Sequence, residues 1–310
     1  YLCSMLQMHP HTGLVGDGTW SFQEYGGSVL MLGDERAKCL INITGANGVS
    51  LVGLSLNGER LGKDICGVLL DKPDYGKQED AFRIENCRIG HFSGDGVRLN
   101  RGWCFSIRHS MICWNEGDGI YLRGWDAFIL DNWFTCNRKA GFGAYEENSA
   151  VTFTANRVEW NYSAGILIRG GANYNITGNY FDRCGGPGIM CLPRDNIPTR
   201  CVTITGNVFH RNGDRTGKNL PLEEDCHILL REAEGVTVTG NTMRVGRNDR
   251  DTGEWSPRAG FVLHKLKLCV IKDNVLRYGA TEKLILDLGE HGEDVIIRDN
   301  VGCCGTGPVR

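Results

Sequence analysis

Ile176–Phe181 reads ITGNYF, and the same shape returns as ITGNVF at Ile204–Phe209, VTGNTM at Val238–Met243, IKDNVL at Ile271–Leu276 and IRDNV at Ile297–Val301. Upstream it is ILDNWF at Ile129–Phe134 and FTANRV at Phe153–Val158. Superposing these segments puts Asn132, Asn156, Asn179, Asn207, Asn241, Asn274 and Asn300 in one column, which earlier repeats fill with Leu54, Cys87 and Ser110. Neighbours stand 22 to 34 residues apart, and spacings of 22, 23 and 24 in the middle set a base period with insertions in some repeats. Five residues after each Asn runs a second column: Asn115, Asn137, Asn161, Cys184 and Asn212, then Gly246, Gly279 and Gly305.

A repeat this short has no room for two helices, and no stretch carries a useful 3.6-residue amphipathic period. Alternation of period two recurs instead, as in VTFTANRV, CVTITGNVF and GVTVTGNTM. The fold class is therefore all-β: a single-stranded parallel β-helix solenoid of roughly ten coils, in which each coil touches only its neighbours. Stacking turns each column into a ladder whose Asn amides bond coil to coil, so the Asn residues are structural and stand outside any site.

The chain has 310 residues with 43 Gly against 8 Pro, which fits many turns and short strands. Thirty-four basic and 37 acidic residues leave a formal charge of −3, so there is no global basic field for nucleic acid. No run of 18 apolar residues suggests a membrane span, and Tyr1–Pro10 lacks the charged-then-apolar pattern of a signal peptide. A secreted chain after signal removal and a cytoplasmic one would read alike. The 14 Cys lack zinc-site spacing and many fall within apolar strand patterns, so most read as buried thiols; Cys303 and Cys304 are open to pairing.

The GDGVRL, GDGIYL, AGILI and PGIMC strands, alternating with the ITGN-type strands, resemble the pectate-lyase-like right-handed parallel β-helix proteins over about Val49 to Val301. That resemblance implies a Gly-led first strand in each coil, the Asn at the turn between second and third strands, and substrate lying on the first sheet. It leaves the reaction open, because the architecture hosts lyases, hydrolases, epimerases and viral tailspikes. Residues 1–48 read as a cap with opening coils, and 49–310 as the β-helix.

Strand parity names the side chains that face outward. One outward column runs through Arg98, Tyr121, Gly143, Leu167, Met190, Leu229, Val262 and Ile285, and the next through Asn100, Arg123, Tyr145, Arg169, Leu192, Arg231, His264 and Asp287. Arg98, Tyr121, Arg123, Tyr145, Arg169, Arg231 and His264 are the expected substrate contacts, since guanidinium groups suit acidic substituents and Tyr suits a sugar face.

Asp95 and Asp118 precede the Gly of successive coils and read as a catalytic acid pair, as glycoside cleavage requires. They look like two aspartates of polygalacturonase-type hydrolases, but Gly119 and the KAG at Lys139–Gly141 depart from that pattern. Glu146 and Glu147, beside arginine-bearing coils, form a second catalytic candidate as base or nucleophile. No cofactor is required, although calcium could sit among Asp95, Asp118 and Glu116; no metal site is otherwise expected. Insertions at RDNIPTR, RTGKNLPLEED and GRNDRDTGEWSP, the last with Trp255, read as walls or subunit contacts, so a homo-oligomer is compatible.

The expected partner is a carbohydrate polymer or oligosaccharide, with neither nucleic acid nor membrane. Glycoside hydrolysis is slightly preferred. The alternatives are a polysaccharide lyase acting on an acidic glycan, and a non-catalytic glycan-binding or tailspike-like fibre module.

Overall fold

The computed structural model describes residues 1–18, 21–213, 220–245 and 256–303. Among them every regular element is a strand, and none is a helix able to cross a membrane. Ladder pairing between successive strands is parallel, so the protein is a parallel β-helix. The residues group into two compact units, residues 1–143 with 147–152 and residues 144–146 with 153–310. Gly246, Trp255, Cys304 and Gly305 lie outside the described residues, as does most of the GRNDRDTGEWSP insertion and the RTGKN part of the preceding one.

In the first unit the short strands Leu2–Cys3, Ser28–Leu32, Leu54–Asn57, Arg88–Gly90, Met111–Cys113 and Trp133–Thr135 pair in that order. Beside them the long strands Cys39–Asn42, Cys66–Asp71, Val97–Arg108 and Ile120–Leu130 stack in register. Val68, Val97 and Ile120 are consecutive register partners and fully buried, so one apolar column runs through the interior. Each such side chain contributes about 1.5–3 kcal/mol on burial. Phe82 and Phe105 stack at 4.9 Å in this core.

The second unit repeats the scheme with Arg157–Glu159, Tyr180–Asp182, Val208–His210 and Thr242–Arg244 as short strands. Its long strands are Ile166–Arg169, Ile189–Leu192, Cys226–Thr239, Ala259–Lys267 and Lys283–Asp287. Phe181 and Phe209 stack at 4.8 Å. In the last coil the pairing is Phe261 with Ile285 and Leu263 with Asp287, so the expected alignment of Asp287 with His264 is corrected by one residue. This strand lacks the Gly that stands directly before the inward residue in most coils (Gly96, Gly119, Gly165, Gly188 and Gly260), and apolar alternation alone allows either register.

Buried amides tie the coils of this unit together. Asn156 donates from Nδ2 to Asn179 Oδ1 (3.1 Å), Asn179 to Asn207 (3.0 Å), Asn207 to Asn241 (2.9 Å), Asn241 to Asn274 (2.9 Å) and Asn274 to Asn300 (2.9 Å). Each acceptor Oδ1 also takes the backbone N–H of the preceding Asn, and Asn179 Nδ2 further donates to Phe153 O. Such bonds are worth about 1 kcal/mol each, and more is lost when one partner is removed inside the core. The residue before each Asn has a left-handed backbone, which explains Gly178, Gly206 and Gly240 at φ near +65°.

A second left-handed corner follows six of the short strands, at His91, Trp114, Cys136, Trp160, Arg183 and Arg211, with φ from 52° to 61°. In the first unit residues 21–27 cross this corner as a strap. Phe22 lies 5.4 Å from Trp114 and 5.9 Å from Trp133, Tyr25 sits under the Arg88 guanidinium at 3.7 Å, and Arg88 Nε donates to Ser21 O (2.9 Å). Arg88 is fully buried there. Burial and the Arg88 charge push His91, bonded to the Tyr25 hydroxyl, down to about 4. Cys39, Cys66, Cys87, Cys113, Cys191, Cys226 and Cys269 are buried thiols, and burial raises them all.

Candidate functional site

The chemistry gathers on the outer face of the first unit's long strands. Asp71, Asn100 and Arg123 are consecutive register partners, and Asn100 donates from Nδ2 to Asp71 Oδ1 (2.6 Å). Arg123 donates from Nε and Nη2 to Glu147 Oε2 (3.1 and 2.8 Å); the arginine side chain is 16% exposed and the glutamate 51%. A guanidinium bonded this way keeps a carboxylate ionised.

Next along the same strands, Trp103 and Trp125 are register partners, brought level by a bulge at Arg101. The Tyr75 ring stacks on Trp125 with centroids 3.7 Å apart and planes 20° from parallel. The loop carrying Tyr75 is pinned: buried Asp80 accepts from Lys72 Nζ (2.9 Å) and from the Trp103 N–H (2.7 Å), and Arg101 donates to Lys72 O (2.7 Å). Trp103 Nε1 donates to Asp126 Oδ2 (3.0 Å). Burial, reinforced by the Glu147 charge, pushes the Tyr75 phenol up to about 12, so it stays protonated. The result is a rigid aromatic surface beside an ion-paired carboxylate and a neutral phenol.

Asp95 and Asp118 are each 1% exposed. Asp95 Oδ1 accepts the Asp118 N–H (2.7 Å), and Asp118 Oδ1 accepts the Ala140 N–H (2.8 Å), so each carboxylate holds the turn of the following coil. Asp95 Oδ2 takes Arg98 Nε (2.6 Å), and the rest of that guanidinium grips Asp64 at 2.6 and 3.1 Å. This geometry supports turn architecture. Glu116, the third acid of the calcium idea, is held by Arg60 (2.5 Å) and Arg138 (3.5 Å). Among the described residues no group of three or more His, Cys, Asp or Glu is placed to hold a metal ion.

The outward line in the second unit has a different character. Arg231 pairs with Glu223 (2.7 Å) and His264 with Glu290 (3.1 Å); Arg169 is exposed opposite Leu192, and Tyr145 is half-buried. Leu229 and Val262, expected to face a groove, are 0% exposed and pack with Leu192, Cys226 and Ala259 against Leu222 and Met190. Parity is as expected, but a further apolar layer lies where solvent was expected. Tyr121 is half-buried beside Arg98 in register, and Glu146 is exposed at φ 51°.

The structure thus joins Arg123 to Glu147 and Arg98 to Asp95 among the expected residues. Asp71, Tyr75, Trp103 and Trp125 were missed. A signal existed for the tryptophans in the repeated Arg-Gly-Trp at Arg101–Trp103 and Arg123–Trp125.

The family described as the right handed beta helix region matches residues 41–198, 95–247 and 147–301. Among solved structures, the Azotobacter vinelandii mannuronan C-5 epimerase AlgE6 A-module is similar at 14% identity and TM-score 0.71, over 97% of this chain and 88% of that one. The enzymatically active domain of bacteriophage CBA120 tailspike protein 2 is similar at 14% identity and TM-score 0.70, over 93% of this chain and 46% of the other. The DFA-IIIase of Arthrobacter chlorophenolicus A6, in complex with GF2, is similar at 14% identity and TM-score 0.66, over 96% and 86%. At these identities the solved structures speak to fold alone, and they agree with the parallel coils, the inward apolar columns and the family match. The chain belongs to the right-handed β-helix family.

Proposed function

We propose that this protein is a carbohydrate-active enzyme that hydrolyses a neutral or lightly charged glycan on the outer face of the first unit. The observation that carries this reading is the Tyr75–Trp125 stack set beside the Arg123–Glu147 ion pair. Aromatic faces bind the apolar side of a sugar ring, and Asp71 and Asn100 offer polar contacts to its hydroxyls. The epimerase, tailspike and DFA-IIIase named above lend support as carbohydrate-related proteins of the same fold.

In the proposed reaction Glu147, kept ionised by Arg123, takes a proton from the water that attacks the anomeric carbon. Solvent supplies the proton for the departing glycosidic oxygen and takes back the one held by Glu147, while the buried Tyr75 hydroxyl stays protonated and serves only to hold its ring on Trp125. Hydrolysis is favoured over elimination by charge balance. Arg98, Arg123, Arg231 and His264 all have acidic partners, so these cations leave little surplus charge to neutralise a uronate.

The test is to incubate the protein with neutral and acidic glycans while following new reducing ends and ultraviolet absorbance together. Reducing ends without absorbance are expected, abolished by Glu147→Gln and largely retained in Tyr75→Phe, which keeps the ring stacked on Trp125. An unsaturated, absorbing product would replace hydrolysis by elimination. Binding with neither product would place the chain among non-catalytic glycan binders.

A further inference from the structure

The short strands of the first unit carry an outward face that is closed to solvent. Ser55, Arg88 and Met111 are register partners beside the inward Leu56, Ile89 and Ile112, so strand parity turns them outward, as it does Asn57, Gly90 and Cys113 two residues on. Yet Ser55, Asn57, Arg88, Met111 and Cys113 are all buried. The corresponding outward residues of the second unit, Arg157, Tyr180, Val208 and Thr242, are each at least partly exposed. What covers the face in the first unit is the strap, residues 21–27.

Beneath the strap lies a cation without a counter-charge. Arg88 Nε donates to Ser21 O (2.9 Å) and the guanidinium lies on the Tyr25 ring (3.7 Å). Among the described residues Nη1 has no hydrogen-bond partner, and no carboxylate forms an ion pair with Arg88. Thr19 and Trp20, the two residues of this unit outside the description, bear no acid. Glu59 is exposed and engaged by Asn57, and the strap's own Glu24 is exposed, as is Asp17 at its foot. A guanidinium keeps its proton inside proteins, and a buried charge is ordinarily paired. The closed strap therefore leaves Nη1 unsatisfied, a penalty that a ligand bearing an anionic oxygen removes.

The strap is an Ω-loop with clamped feet. Ser28 N–H donates to Asp17 O (3.0 Å) and Asp17 N–H to Ser28 Oγ (3.1 Å), while Gly27, at φ 67°, turns where a Cβ would fall 1.4 Å from Asp17 O. Among the described residues no ladder bond ties 21–27 to the strands. Its tip is held by the Tyr25 hydroxyl on His91 Nδ1, by Ser55 Oγ donating to Gly26 O (2.9 Å), and by Phe22 against Trp114 and Trp133. Lifting the tip frees His91 Nδ1, Ser55 Oγ and the Trp114 face that Phe22 covers, all around Arg88.

We infer that residues 21–27 are a displaceable lid and that the face beneath, centred on Arg88, binds an acidic sugar residue, its carboxylate on the guanidinium and its ring in the place of Tyr25. Trp114 supplies a ring face, and Ser55 and His91 supply partners for hydroxyls. This site is separate from the proposed catalytic surface and does not rest on that reading.

The experiment titrates the 310-residue chain with D-glucuronate, glucose and acetate by calorimetry, and follows the lid by chymotryptic cleavage after Phe22 and Tyr25. The binding counted is the part lost in Arg88→Gln, which sets aside any sugar held at the Trp125 surface. Glucuronate is expected to saturate this site more tightly than glucose or acetate, and cleavage after Phe22 should rise with it. Arg88→Gln should weaken glucuronate at least about tenfold. Tyr25→Ala, which removes the ring occupying the site, should tighten it about tenfold, because the closed state no longer competes. If circular dichroism shows Arg88→Gln to be misfolded, Tyr25→Ala decides. No saturable glucuronate binding, full affinity in a folded Arg88→Gln, or weaker binding in Tyr25→Ala overturns the site. Glucose or acetate bound there as tightly as glucuronate overturns its assignment to an acidic sugar.

Discussion

At one outward position of the long strands the first unit carries Arg98 and Tyr121, while the second carries Leu167, Met190, Leu229, Val262 and Leu286. The pleat, the register and the interior column behind them are alike. What differs is the layer above: Arg98 reaches Asp64 and Asp95 across a polar surface, whereas Leu229 and Val262 lie beneath Leu222 and its neighbours. Strand parity tells which side chains leave the core. It does not tell whether they meet water, substrate or a second apolar layer, because loop residues decide that.

The largest effect should come from forcing a charge into the apolar side of this contrast. Leu229→Asp is expected to cost about 3–5 kcal/mol, read by urea unfolding, because an ionised carboxylate would be buried without a partner. A loss below about 1 kcal/mol would mean that the covering layer opens freely and that the two faces are less distinct than described.

On the polar side, Glu147→Gln should lower turnover by at least about 100-fold, near 2.7 kcal/mol of barrier, with little change in Tm. The corresponding acid of the second unit's line, Glu223, should tolerate Gln with nearly full activity. Equal losses at both positions would erase the functional difference between the units.

Acidification probes the two interiors. Burial pushes fully enclosed His227 down from 6.5 to about 3, so between those values the unfolded chain binds a proton that the folded protein does not. Its contribution is therefore intact above about pH 6.5 and declines as pH falls, by about 2 kcal/mol on reaching pH 5. His91, half-buried under the strap at about 4, acts in the same direction over a narrower window. His227→Leu should flatten the stability profile between pH 6.5 and 5 by about 1.4 kcal/mol per pH unit, and an unchanged slope would rule out His227 as the source.

The smallest effect concerns the aromatic surface. Trp125→Ala should weaken glycan binding by about 1–2 kcal/mol, close to 10-fold, measured by calorimetry on the Glu147→Gln background to prevent turnover. Affinity unchanged within twofold would move the sugar away from the Tyr75–Trp125 stack.

The fold was legible because its determinants are local and repeated. Each Asn needs its amide satisfied by the next coil, and each preceding Gly or Asp accommodates a left-handed turn, so the register is written into the sequence. Where no Gly leads the strand, as in Lys283–Asp287, the expected register is off by one residue. The site was less legible. Tyr75 belongs to a loop that no column contains, and it reaches Trp125 only because Asp80, Lys72 and Arg101 fold that loop onto the strands. The equal spacing of Asp95 and Asp118 reads as an acid pair, but a regularly spaced acid is also what a repeated turn requires, and their backbone bonds answer that requirement.

The amide chain from Asn156 to Asn300 also sets how this protein can change in length. Every link has the same donor and acceptor on both sides, so a cut and rejoining at two successive Asn residues, as from Asn156 to Asn179, restores the bonding pattern with one coil fewer. Any deletion out of step leaves buried amides facing apolar carbon. Inheritance can therefore shorten or extend the second unit in whole coils, and a loop inserted between anchors can grow without disturbing the count.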